Sequence, residues 1–293
     1  MGRHLVIAGA GMVATAVLGC AAILGIDEDY TRHEGGSSAG GGGAGGSGTG
    51  GSGTGGSGGD CLCTTPAAGQ ALEFDGSGDV VRLPALVASD FTIEAWILTD
   101  TAPSGDYWEG DAIVSADVSG GADDFAITAV DDVLAFGVGD TTNQAYEVRS
   151  TTTITTGQWV HIAAVRSQAE GRIQVLVNGV VEGESSNGDF TQALSDPPEF
   201  LVGSHEWDSS GGLTGKIDEL RIWDTARTPA EIDCSKGRTL TGDEPGLVGY
   251  WRFDETSGDA APDATPNGND GTLGSGPGAP EWVASDAPVF SCD

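Results

Sequence analysis

Ile173-Gln174-Val175-Leu176-Val177-Asn178-Gly179-Val180-Val181 decides the class of fold. Apolar and β-branched residues flank Asn178-Gly179, a pair that tolerates the positive φ of a two-residue type I′ turn, so the stretch predicts a β-hairpin. On both sides of it the chain repeats the same kind of unit. Short apolar or alternating runs stand at 71–74, 80–83, 91–98, 112–118, 125–130, 133–138, 146–150, 159–166, 200–203, 216–223 and 247–253, separated by Gly, Asp, Asn and Pro. About a dozen strands at this spacing, with almost no helical periodicity, predict an all-β antiparallel sandwich of two sheets. One helical turn is expected at 228–232, where Thr228 precedes Pro229.

The 293 residues hold 12 Lys and Arg against 44 Asp and Glu, a net charge of −32. With the two arginines and four acids of residues 1–59 set aside, ten cations and 40 acids leave −30 on the remainder. Such a surface repels nucleic acid and anionic head groups, which excludes both as expected partners. The apolar fraction of 38%, gathered in strand-like runs, places the acids on a folded body.

Arg3 and His4 precede an apolar stretch at 5–18, which has the length of a secretion signal and is too short for an ordinary membrane span. Val17-Leu18-Gly19-Cys20 resembles the lipobox of bacterial lipoproteins, which implies acylation of Cys20 after removal of residues 1–19. Ala21 in place of Asp is expected, by resemblance to known sorting rules, to favour the outer membrane. Residues 35–59 are only Gly, Ser, Thr and Ala, so 20–59 is expected to be a flexible tether, with a root-mean-square span of about 25–30 Å over the Gly-rich part. The folded domain is then 60–293, exported and in contact with the membrane only through its lipid.

Four further cysteines, Cys61, Cys63, Cys234 and Cys292, form an even set in an exported chain and are expected to be disulfide-bonded. A bridge from Cys61 to Cys63 would be strained. Two pairings remain, each joining one member of Cys61/Cys63 to Cys234 and the other to Cys292. A four-thiolate zinc site lacks the usual two-residue spacer.

The motifs Ala71-Leu72-Glu73-Phe74-Asp75-Gly76, Gly78-Asp79-Val80-Val81, Phe91-Thr92-Ile93-Glu94-Ala95-Trp96, Trp159-Val160-His161-Ile162-Ala163, Val177-Asn178-Gly179 and Gly215-Lys216-Ile217-Asp218-Glu219-Leu220-Arg221-Ile222-Trp223 stand in that order. Together they resemble the laminin-G-like jelly roll of the concanavalin A-like lectin and glucanase superfamily, over about residues 70–290. In many relatives a segment like Gly246–Leu273 precedes the Phe-Asp-Gly motif. Here it follows, so it is expected to close the same sandwich as a terminal strand, a circular-permutation-like arrangement that adjacent chain ends permit.

The resemblance implies lectin-like binding or glucan hydrolysis. Glucanases of the superfamily carry a Glu-X-Asp-X-X-Glu strand that sets two carboxylates on one face, and this sequence has no such triplet. Strict alternation is expected to send Glu219 to the face opposite Asp218. His161 is expected to be a strand-face residue beside Trp159. Calcium is the expected cofactor, since acidic Gly-containing turns can supply carboxylate and carbonyl oxygens. Its candidate ligands are Asp75, Asp79, Asp218, Asn269 and Asp270, against the alternative that these side chains cap turns. Trp96, Trp159, Trp223 and Trp251 fall in strand patterns and are expected in the core, whereas Tyr107, Trp108 and Trp207 lie in acidic, Gly-flanked loops and are the candidate ligand contacts. The expected function is a non-catalytic module for a glycan or protein ligand at the cell surface. The alternatives are a hydrolase or lyase with divergent carboxylates and a structural envelope protein.

Overall fold

The computed structural model describes residues 65–67, 69–117, 124–139, 145–186, 190–194, 199–205 and 212–291. The expected signal and tether, Cys20, Cys61, Cys63, Cys292 and Trp207 lie outside the described residues. Cys234 is disulfide-bonded, and its partner lies outside them too.

The strands run β1 (Thr65–Pro66), β2 (Gly69–Asp75), β3 (Val81–Pro84), β4 (Phe91–Thr99), β5 (Asp111–Ser115), β6 (Phe125–Val130), β7 (Val133–Gly139), β8 (Ala145–Thr153), β9 (Val160–Ser167), β10 (Arg172–Val177) and β11 (Val180–Ser185). They continue with β12 (Glu199–Val202), β13 (Thr214–Trp223), β14 (Leu247–Trp251), β15 (Ala260–Ala261), β16 (Gly271–Leu273), β17 (Glu281–Ser285) and β18 (Phe290–Ser291). The first sheet has the order β11-β10-β9-β4-β13-β2-β17, with β14 also beside β13, and the second the order β15-β16-β3-β12-β5-β6-β7-β8. All the ladders are antiparallel, and the two sheets form the jelly-roll sandwich.

Alternation fills the space between the sheets. Phe91, Ile93, Ala95 and Ile97 of β4 face inward, as do Phe125 and Ile127 of β6, Leu134 and Phe136 of β7, and Phe200 of β12. Phe125 sits at the middle, 5.0 Å from the Phe91 ring and 5.3 Å from Phe200 between centroids, the edge and tilted arrangements aromatic pairs prefer. The β10–β11 turn has φ of 51° at Asn178 and 84° at Gly179, as its sequence required.

Strict alternation fails on β13. Glu219 has φ 53°, and the register slips from Asp218 opposite Trp96 to Arg221 opposite Glu94, two residues against three. This bulge turns Glu219 to the same outer face as Asp218, which corrects the expectation that they oppose each other.

That outer face is buried. The helix α1 (Pro229–Ser235), capped by Thr228 and Glu231, is longer than the expected single turn, and it lies over the sheet with the chain on either side of it. Beneath it Glu94 Oε1 accepts from Trp223 Nε1 at 3.0 Å and from Arg227 at 3.1 Å, while Arg221 reaches Glu219 at 2.6 Å and the Ser235 carbonyl at 3.0 Å. Burial pushes the Glu94 carboxyl up, but the contact with His161 and the charges of Arg221 and Arg227 outweigh it and hold the group at about 2. His161 packs against Trp96, with ring centroids 5.4 Å apart. Trp251 belongs to the core between the sheets. Trp96 and Trp223 are buried in this outer layer instead, and Trp159 is half-buried, its Nε1 donating to Asp286.

The late segment does more than close one sheet. β14 extends the first sheet, β16 pairs with β3 in the second, and β17, which the sequence patterns did not mark, pairs with β2. β1 pairs with β18, Thr65 opposite Ser291, so the start and end of the domain meet.

Candidate ligand-binding surface

The outer face of β6 and β7 carries Ala126, Val130, Ala135 and Gly137, side chains too small to fill it themselves. The segment 103–110 crosses this face and supplies Tyr107, which is 5% exposed and packs with Ala126, Val130 and Ala135. A Cβ on Gly137 would stand 2.3 Å from the Tyr107 ring, so only glycine admits the ring there. Tyr107–Glu109 form one 3-10 turn, closed by Glu109 N–H donating to the Asp106 carbonyl at 2.9 Å and by Asp106 N–H donating to Glu109 Oε2 at 3.1 Å. Tyr107 N–H donates to Glu147 at 3.0 Å, and Arg149 Nη2 donates to the Gly105 carbonyl at 2.8 Å.

Trp108 projects from this fixed turn, 38% exposed and edge-on to Tyr107, with centroids 5.1 Å apart and planes at 81°. Among the described residues it is the sole exposed large aromatic side chain. His205, which sequence reasoning passed over, ties the neighbouring chain to this turn. Its Nε2 lies 3.1 Å from the Gly110 carbonyl and its Nδ1 2.9 Å from Ser115 Oγ. Of the three aromatic candidates, Tyr107 is thus a buried support and Trp108 is exposed, while Trp207 lies outside the described residues. Burial, then the charges of Asp117, Asp124 and Glu147, push the Tyr107 hydroxyl up, so it is neutral across the physiological range.

The five calcium candidates fall in three places. Asp79 Oδ2 accepts from Asp75 N–H at 2.8 Å and Asp75 Oδ1 from Ser77 N–H at 2.8 Å, a turn capped by its own acids. Burial, followed by the neighbouring Asp75, pushes the Asp79 carboxyl up. These two border a cavity of about 630 Å³ that Glu73, Asp100, Lys216 and Glu281 also line. Asp218 is buried on the outer face of the first sheet, where its Oδ1 accepts from Glu219 N–H at 2.7 Å and its Oδ2 from Ser285 Oγ at 2.5 Å, and burial pushes it up to about 8. Asp270 accepts from Asp263 N–H at 2.9 Å, and Asn269 Nδ2 donates to the Val248 carbonyl at 2.8 Å. The set does not fit one calcium centre. Its carboxylates are engaged by internal donors, the Asn269 amide nitrogen faces a carbonyl, and among the described residues no three His, Cys, Asp or Glu are placed to hold an ion.

Glu94, Glu219, Arg221 and His161 form the densest set of titratable groups, yet each is at most 6% exposed beneath α1 and its flanking chain. The cluster anchors that cover to the sheet.

A laminin G model of the Concanavalin A-like lectin/glucanases superfamily matches residues 75–233. This match spans more than half of the sequence, and the chain belongs to that family. A search of curated proteins gives no match. Among solved structures, a protein of Bacteroides ovatus proposed to bind carbohydrate is similar at a TM-score of 0.57 and 22% identity, over 76% of this chain and 61% of its own length. A heptameric SAP-like pentraxin of Limulus polyphemus gives 0.44 at 20% identity, over 57% of this chain and 81% of its own. Domain 4 of an extracellular arabinanase of Geobacillus stearothermophilus, solved with arabinotriose, gives 0.43 at 24%, over 56% and 74%. The chain therefore spans less than two thirds of the Bacteroides ovatus protein.

Proposed function

We propose that this protein is a non-catalytic glycan-binding module, exported and held by a lipid on Cys20 at the outer membrane, with Trp108 as its principal contact. The observation that carries the reading is the exposed indole of Trp108 on a turn fixed from below by Tyr107 and Gly137. Aromatic faces pack on the C–H faces of sugar rings, and a side chain already held in place loses little entropy on binding. Membership in a lectin and glucanase superfamily supports the reading, as does a sequence without the glucanase carboxylate triplet. The Gly-rich residues 35–59 suit a module that must reach ligands away from a membrane. The reading draws on no calcium.

A glycan array probed with the full-length protein and with Trp108→Ala tests it. Binding to a defined set of glycans that the variant loses is the expected result, and silence across the array would sink the glycan reading. Labelling with a palmitate analogue, lost in Cys20→Ala, tests the anchor.

A further inference from the structure

We infer that Asp131 and Arg149 are positioning residues for Trp108, and that the β6–β7 turn keeps a strained backbone in order to hold the indole in one orientation. The inference rests on the glycan reading above. Val130 pairs with Val133, so Asp131 and Asp132 alone make the turn between β6 and β7, with φ of 49° and 67°. That is type I′ geometry, which favours glycine at its second position, and at 178–179 the same chain meets the same demand with Asn-Gly. Two successive aspartates in the left-handed region cost stability that glycine would spare. Strain of this kind persists where the surroundings over-determine it, and it gathers at ligand clamps.

What Asp131 holds is the segment that carries Trp108. Its N–H donates to the Pro103 carbonyl at 2.8 Å, and its carboxylate accepts from Arg149 Nη1 at 2.7 Å. Hydrogen bonds from Arg149 and then from Ser104 draw that carboxyl below its ordinary value. Arg149 Nη2 donates onward to the Gly105 carbonyl at 2.8 Å. Its Nε donates to one oxygen of Glu147, whose other oxygen accepts from Tyr107 N–H at 3.0 Å. One carboxylate and one guanidinium thus tie down 103, 104, 105 and 107, directly ahead of the indole. They can do so because β8 sets Glu147 and Arg149 opposite Gly137 and Ala135, the positions on which Tyr107 packs. A planar guanidinium reaches three acceptors at once, which an ammonium on a flexible stem does not. Asp132 is held by a different stretch: its Oδ1 accepts from Thr155 Oγ1 at 2.8 Å and its carbonyl from Ile154 N–H at 2.8 Å. It carries the same backbone strain without the clamp.

The test labels the full-length protein with fluorotryptophan, identifies the Trp108 fluorine resonance by its loss in Trp108→Phe, and compares Asp131→Gly, Asp132→Gly and Arg149→Lys. Both glycine variants are expected to melt no lower than the parent, since each relieves a left-handed residue and gives up only an exposed contact. In Asp131→Gly and Arg149→Lys the Trp108 resonance is expected to move, and the glycan-array signal to fall about three- to tenfold as a loosened loop must be ordered on binding. Asp132→Gly should match the parent in both. A Trp108 resonance that stays in place in the first two variants, or an array signal that survives in full, overturns the positioning and leaves the glycan reading standing. A melting point several degrees lower in Asp131→Gly overturns it as well, making Asp131 an ordinary stability contact. A resonance that moves as expected in a protein silent across the array sinks the glycan reading and keeps the positioning.

Discussion

The ring of Tyr107 rests on Gly137, where a single added methyl would stand 2.3 Å from three of its carbons. Gly137→Ala therefore lifts the turn that carries Trp108. The variant is expected to lose about 1–3 kcal/mol of stability, as overpacked sites do, and to bind ligand more weakly although Trp108 is intact. Calorimetric melting together with the array measures both. Unchanged binding would separate Trp108 from its support.

Glu94 is the shared acceptor of Trp223 and Arg227 and lies 3.9 Å from Arg221. Glu94→Ala leaves buried guanidinium charge without its partner, which typically costs about 3–5 kcal/mol. Because its carboxyl is held below its ordinary 4.5, at about 2, its contribution is present above pH 4.5 and is lost as pH falls through about 2. Denaturant titration of the variant, and of the parent across acid pH, should show both effects. A loss well under 1 kcal/mol would mean that water reaches the pair.

Asp218 shifts in the opposite direction. Its native proton is retained from its ordinary 3.8 up to about 8, so the folded state binds more protons over that window and its contribution to stability declines as pH rises through it. Asp218→Asn keeps an acceptor for Glu219 N–H and a partner for Ser285, and is expected to flatten this decline, gaining on the order of 2–4 kcal/mol above pH 8. Thermal midpoints measured across pH 5 to 9 check the slope. A parent curve with no decline in this window would rule out the raised value.

Chelation is expected to leave the thermal midpoint unchanged, because the acids singled out as calcium candidates are satisfied by Ser77, Asp75, Ser285, Glu219 and Asp263. A specific calcium-induced rise of several degrees would place a centre on other residues.

Most of the strands were legible because jelly-roll strands announce themselves by period and by turn residues, and Asn178-Gly179 carried its turn type in its chemistry. The bulge at Glu219 was not, since nothing in Ile217-Asp218-Glu219-Leu220 marks a positive φ. Glu94 and Arg221 stood in the sequence only as members of strand motifs, and only the packing of α1 shows that their face is covered. Trp108 was legible as an aromatic in an acidic loop. Its support was not, although a glycine inside the otherwise apolar run 133–138 was the available signal of a close approach. The acidic turns stayed ambiguous because an acid that caps a turn and an acid that binds an ion have the same local sequence.

The pairing of Thr65 with Ser291 decides how the domain meets a mechanical load. A pull on the chain ahead of Thr65 reaches a two-residue ladder before it reaches any strand of the sandwich. With the disulfides expected at Cys61 and Cys63 in place, such a load passes into covalent bonds ahead of the ladder, and with them reduced this small clasp is the first element to part, before either sheet or the turn that presents Trp108.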